Sequence, residues 1–134
     1  MSFEKSIIEF SALVNKALEN VFKDVVIEVG ETVITLSPVL TGRFKGNWQL
    51  TANTPSNYSL NNYDPDGSST IAKLINGSES LTTSQVAYIV NNLTYGYEIE
   101  TVGWPSGKEP YMPVRTTEGR FHEIVKEAVR KHSV

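Results

Sequence analysis

Apolar positions recur every three to four residues between positions 3 and 36. Ile7, Val14, Leu18, Val21, Val25 and Val29 form a stripe that Phe10, Ala17 and Phe22 widen, while Glu4, Lys5, Glu9, Lys16, Glu19, Lys23 and Asp24 supply a wet side. That spacing predicts one long amphipathic helix. Gly30 predicts a kink or an early end, because glycine costs about 1 kcal/mol relative to alanine inside a helix. The β-branched run Thr32, Val33, Ile34, Thr35 weakens the helix further, and Ser37-Pro38 ends it, since the residue before proline avoids the α region.

The period then changes to two. Phe44, Gly46, Trp48, Leu50 and Ala52 alternate with Arg43, Lys45, Asn47, Gln49 and Thr51, which predicts a long strand over 43–53 with one buried face and Trp48 in its middle. Residues 54–70 are rich in Pro, Asn, Asp, Ser and Gly and predict a loop or an extended arm. A short helix over 70–76 follows, carried by Ile71, Leu74 and Ile75, and then a turn at Asn76-Gly77. Residues 83–91 are apolar on both faces and predict a second strand, central in its sheet. Residues 95–100 suit a short helix or a strand equally, and 103–113 read as loop. Phe121, Ile124, Val125, Ala128 and Val129 predict a closing helix over 117–132, capped by Thr116 or Thr117. The expected fold is α+β: an antiparallel sheet with a long strand or hairpin, covered by a long N-terminal helix and a C-terminal helix. One domain spans 1–134, with 54–83 as a flexible loop or arm.

Composition narrows the function classes. Forty per cent hydrophobic residues can build one core in 134 residues. Fifteen acidic against twelve basic residues give a net charge of −3, so no basic excess exists to neutralise phosphates and no nucleic-acid partner is expected. The absence of cysteine excludes disulfides, thiolate metal sites and cysteine nucleophiles. The first residues lack the basic-then-apolar pattern of a signal peptide, and no apolar run approaches the ~20 residues of a membrane helix. The expectation is a protein made in the cytoplasm, with no membrane partner.

Motifs for chemistry are incomplete. Gly103 to Gly107-Lys108-Glu109 resembles a phosphate loop, but it is one residue short, contains Pro105 and has Glu109 where a magnesium-binding hydroxyl belongs. His122-Glu123 opens like a zinc-protease helix, yet Lys126 stands at the second histidine position, so His122 and His132 read as solvated helix residues. Asp64-Pro65-Asp66-Gly67 lacks the later acids of a calcium loop and reads as a turn. Glu98 and Glu100 form a carboxylate pair with no nucleophile beside them. Trp48, Tyr88, Tyr95, Tyr97 and Trp104, near Asn and Arg but without a basic surround, favour core packing or a protein interface over base stacking. No enzyme activity, cofactor or metal is expected. A pocket lined by these aromatics keeps a small ligand-binding or enzymatic domain open as an alternative.

Two segments carry a family resemblance. Thr41-Gly42-Arg43-Phe44-Lys45-Gly46-Asn47-Trp48, following a long helix, resembles the Thr-Gly-Arg-hydrophobic-x-Gly-x-Trp pattern of tail-completion proteins of long-tailed bacteriophages. Asn91-Asn92-Leu93-Thr94-Tyr95-Gly96-Tyr97-Glu98-Ile99-Glu100 is similar to that family's Asn-x-Pro-Tyr-Ala-Tyr-x-x-Glu segment, with Thr94 and Gly96 in place of Pro and Ala. The resemblance runs in order along nearly the whole chain. It implies a non-enzymatic virion protein of the tail or neck, made in the host bacterial cytoplasm, that completes the tail and joins it to the head connector. A different phage neck or tail-terminator protein is the neighbouring alternative. Implied partners are the tail-tube or tail-terminator protein, head connector proteins and further copies of itself. These copies would form a ring in the virion, a hexamer being a candidate size, from a chain that is monomeric when free. Thr41, Gly42, Arg43, Trp48, Asn91, Asn92, Tyr95, Tyr97 and Glu98 are the implied interaction residues. Within them Arg43 is expected to pair with an acid such as Glu98, and Trp48 to anchor the sheet against the long helix.

Overall fold

The structure, a computed structural model, describes residues 3–105 and 107–133. It is an α+β fold. The elements are α1 (Phe3–Leu36), a 3-10 turn (Lys45–Asn47), β1 (Trp48–Ala52), α2 (Ser68–Ser78), β2 (Ala87–Asn91), a π-helical turn (Glu98–Val102) and α3 (Pro113–Lys131). The two strands pair antiparallel, with Trp48 opposite Asn91 and Leu50 opposite Ile89.

α1 is continuous through Gly30. At 1.5 Å per residue its 34 residues span roughly 50 Å. Gly30 is a notch, not a break: a methyl group there would lie 2.4 Å from Leu74 Cδ2, so the missing side chain lets α2 pack tightly on α1. The helix ends where Ser37-Pro38 predicts. The Ser37 hydroxyl donates to the Val33 carbonyl at 2.6 Å, satisfying one of the last-turn carbonyls that a helix end leaves bare. The Trp48 indole N–H donates to that same hydroxyl at 2.8 Å. Trp48 thus anchors the start of β1 to the end of α1, and it is buried.

The long strand over 43–53 is shorter than the alternation predicts. Gly42 adopts φ +86°, a conformation that glycine reaches at little cost, and residues 43–47 coil into turns instead of extending. The Gly46 N–H donates to the Gly42 carbonyl at 3.0 Å and the Asn47 amide group to the Arg43 carbonyl at 2.7 Å. Phe44, Gly46 and Trp48 are buried as the pattern requires, the first two through a turn. β2 likewise begins at Ala87 and not at 83, and in the two-stranded sheet that the described residues form it is not central. Its two apolar faces divide: Ala87 and Ile89 pack on the core with Leu50, while Tyr88 and Val90 lie across from Thr51 and Gln49.

The segment 54–83, expected as an arm, holds core anchors. α2 runs longer than 70–76 and takes Asn76 and Gly77 into its last turn, and Leu74 and Leu81 are buried in the main cluster with Val26, Val33, Ile34, Phe44, Trp48, Leu93 and Ile99. α3 starts four residues earlier than predicted, because Pro113 occupies its first turn, where its lack of an N–H costs nothing. It packs antiparallel along α1, with Val114 near Val33 and His132 in contact with Asp24. The ambiguous 95–100 region is helical, with Gly96 and Tyr97 leading into the π-helical turn at Glu98.

Candidate functional site

The two motif segments, more than forty residues apart in the chain, form one cluster at the end of the sheet. Three kinds of contact hold it. The first is glycine-dependent backbone packing. The Gly42 carbonyl accepts the N–H of Gly46 at 3.0 Å and of Asp64 at 2.9 Å, and a side chain at Gly42 would meet the Pro65 nitrogen at 2.5 Å. The Thr41 hydroxyl accepts the Arg43 N–H at 3.3 Å and steadies the turn.

The second is a set of amide clamps. The Asn91 amide group donates to the Phe44 carbonyl at 2.9 Å, joining the two motifs directly, and its carbonyl oxygen accepts the Leu93 N–H. Asn92 donates to the carbonyls of Ser56 at 2.9 Å and Tyr58 at 3.0 Å, which lays the 54–62 loop beside the sheet. Asn47 is 0% exposed and accepts the Leu60 N–H at 2.6 Å, while Gln49 donates to the Tyr58 carbonyl at 2.8 Å. The period-two pattern places Asn47 on the wet face of a strand, whereas it is buried in the 3-10 turn; Gln49 keeps its predicted place in β1 on the face opposite Trp48 and Leu50. The available signal is that Gly46 and Asn47 are both residue types depleted in strands, which argues against extended backbone there.

The third is an aromatic row. Phe44 meets Trp48 edge-on at 5.7 Å between ring centres and tilts against Tyr95 at 6.2 Å, and Tyr95 stacks on Trp104 at 4.6 Å with 11° between planes. Burial pushes the Tyr95 hydroxyl above its ordinary pKa; the nearby Arg43 charge opposes that shift and Tyr63 adds to it.

The predicted residues therefore divide. Thr41, Gly42, Trp48, Asn91, Asn92 and Tyr95 build the cluster. Arg43 lies near Tyr95 but makes no ion pair with Glu98 among the described residues; Arg43 Nε and Glu98 Oε2 are both shielded from solvent without a hydrogen-bond partner. Tyr97 is 69% exposed and stands outside the cluster, available for contact with another molecule.

Other sequence signals resolve into folding roles. Glu98 and Glu100 do not act as a pair. The Glu100 carboxylate accepts the N–H groups of Val114 at 2.7 Å and Arg115 at 3.2 Å, capping α3 from another element. This replaces the expected cap by Thr116 or Thr117; the Thr117 hydroxyl instead donates to the Pro113 carbonyl. The Asp64-to-Gly67 segment is a turn: Asp64 accepts the N–H and hydroxyl of Thr70 at 2.7 and 2.6 Å, and Asp66 those of Ser68. Ser68 holds the Asp66 carboxyl below its usual range. In the Gly103–Gly107 loop, Ser106 lies outside the described residues. The Gly103 α-carbon faces the Lys108 carbonyl so closely that a side chain there would sit 1.8 Å from its oxygen. His122 is exposed as expected, whereas His132 is partly covered against Asp24.

Among the described residues, no three His, Asp or Glu side chains converge as a metal site would require, and no helix is long and apolar enough to cross a membrane. The cavity bounded by Trp48, Leu50, Tyr58, Leu60 and Leu74 holds about 220 Å³. That is below the roughly 300–1,000 Å³ of small-molecule sites, whereas two further cavities, one lined by Val29, Val33, Val114 and Phe121 and one by Phe44, Ile89, Asn92 and Val114, hold about 360 and 350 Å³, at the lower end of that range. Comparison with known proteins brings no relative: no family model, no curated protein and no solved structure matches the chain.

Proposed function

We propose that the protein is a non-enzymatic structural subunit of a long-tailed phage particle, acting at the tail or neck to complete the tail and join it to the head connector. What supports this reading is the resemblance of two separate sequence segments together with the Asn91-to-Phe44 hydrogen bond and the Phe44–Tyr95 contact that unite them. The two segments meet where β1 pairs with β2, Trp48 standing opposite Asn91. The cluster they form is a hydrogen-bonded corner, and it presents exposed Tyr97, Tyr58 and Tyr63 around its edge, as assembly interfaces favour.

In this role the ring of copies, the tail-tube or tail-terminator protein and the head connector meet the surface around that corner. The test is complementation. Lysate of a phage carrying a deletion of this gene should accumulate filled heads and finished tails, and adding the purified chain should restore infectious particles. Tyr97→Asp, which leaves the buried cluster intact, should restore at least tenfold fewer. Normal particles from the deleted phage would refute the proposal.

A further inference from the structure

Among the cavities, the acidic cluster at Asp24, Glu28 and Glu31, the shielded Arg43 and Glu98 atoms and the exposed apolar faces, the free end of α1 is the least explained feature. α3 covers the apolar side of α1 only as far as the contact between His132 and Asp24. Beyond it the helix continues as an arm of about five turns. On this arm Ile7 is 50% exposed, Ile8 62%, Phe10 62%, Leu13 59% and Leu18 55%. If a large apolar side chain offers about 150–250 Å², these five leave on the order of 500 Å² open, near the upper end of what a monomer shows in one patch.

The pattern on the arm differs from that on the body. Ile7, Phe10, Val14, Ala17 and Val21 follow the alternating three-and-four spacing of a heptad seam, and the next two seam positions are Asp24 and Glu28. The seam therefore stops where the body begins. A seam of this kind seats against another helix, and the chain's own α3 is already used. We infer that the occupant is the arm of a second copy, packed antiparallel. In that direction large side chains meet small ones: Ile7 lies against the partner's Ala17, and Phe10 against the partner's Val14. Ser11 and Leu13 each approach their own counterpart beside the twofold axis. Parallel packing would stack Phe10 on Phe10 and Ala17 on Ala17, and would force two bodies together at one end.

The seam is flanked by Ser6, Ser11, Leu13, Leu18 and Asn20, with Glu4 as its only charged flank, while Lys5, Glu9, Lys16 and Glu19 stay on the outer side. No charge is buried by the pairing. Ile8 lies outside the seam and its flanks; the other four leave on the order of 400 Å² per arm, so two arms bring together about 800 Å² of apolar surface, and their polar flanks carry the contact toward the roughly 1,200–2,000 Å² of a specific interface. Five turns make a short seam, so the pairing is weak. The free monomer that the resemblance implies becomes a monomer–dimer equilibrium. This inference needs only the chain itself and stands apart from the joining assay.

The test uses sedimentation velocity from about 10 µM to about 1 mM, a range that brackets weak association. The wild-type chain should shift reversibly from monomer to dimer, and Phe10→Glu should weaken that association at least tenfold while leaving the far-UV spectrum and melting temperature unchanged. Because the chain has no cysteine, single cysteines report the geometry. Ser11→Cys should give a disulfide-linked dimer under mild oxidation and Ala17→Cys should not. A monomer throughout the range, equal association by Phe10→Glu, or cross-linking by Ala17→Cys in preference to Ser11→Cys would each overturn the inference.

Discussion

Gly30→Ala tests whether the notch in α1 sets the seat of α2. In an open helix this substitution stabilises by about 1 kcal/mol, because alanine loses less backbone freedom. Here the new methyl would lie 2.4 and 2.7 Å from the two terminal carbons of Leu74 and 3.1 Å from its Cγ. Leu74 is 6% exposed and has little room to yield. Overpacking of this kind costs about 1–3 kcal/mol, which cancels the propensity gain and leaves a net loss of up to about 2 kcal/mol. The control is Leu74→Ala, which alone should cost about 2–5 kcal/mol as a large-to-small core change. In the Leu74→Ala background the obstacle is gone, so Gly30→Ala should turn neutral or stabilising by up to about 1 kcal/mol. The two substitutions should then couple by about 1–3 kcal/mol in urea denaturation followed by circular dichroism. Gly30→Ala that stabilises the wild-type chain, or that has the same effect in both backgrounds, would refute the notch.

Further outcomes follow from single contacts. Trp48→Ala removes a buried indole and its bond to Ser37 and should cost about 3–5 kcal/mol in the same denaturation assay. Glu100→Ala leaves two first-turn N–H groups of α3 without their carboxylate and should cost about 1 kcal/mol, with exchange protection lost first at Val114 and Arg115. Burial, with Glu28 adding to it, raises the Glu31 carboxyl above 4.5. The folded state therefore holds that proton at pH values where the unfolded chain has released it, and stability falls as pH rises from 4.5 through the raised value. Glu31→Gln should flatten that fall in denaturation midpoints compared across the acidic range.

The long helix, the burial of Trp48 and the closing helix were legible because each is a local pattern repeated over many residues. The shortened strand was not. Phe44, Gly46 and Trp48 alternate as a strand would, but the Gly42 turn and the Asn47 side chain bring the same residues inward by coiling. A period-two pattern records burial and not backbone extension. Gly30 misled for a related reason: its helix penalty is local, while its benefit belongs to Leu74, more than forty residues away. Of the candidate site, Asn91, Asn92 and Tyr95 were found through resemblance. Glu100 was missed because a cap supplied by another element leaves no spacing to read. The expected Arg43–Glu98 pair rested on charge alone, and charge does not fix distance.

The aromatic row also determines what an optical probe can see. Both tryptophans of the chain belong to it, Trp48 bonded to the end of α1 and Trp104 stacked on Tyr95. Intrinsic emission thus reports the corner where the two motif segments meet. α1 contains neither tryptophan nor tyrosine, so its free end is spectrally silent. Loosening of the corner should change colour and intensity, whereas events confined to the first turns of α1 should pass unseen. One cuvette can therefore separate damage to the body from traffic at the arm.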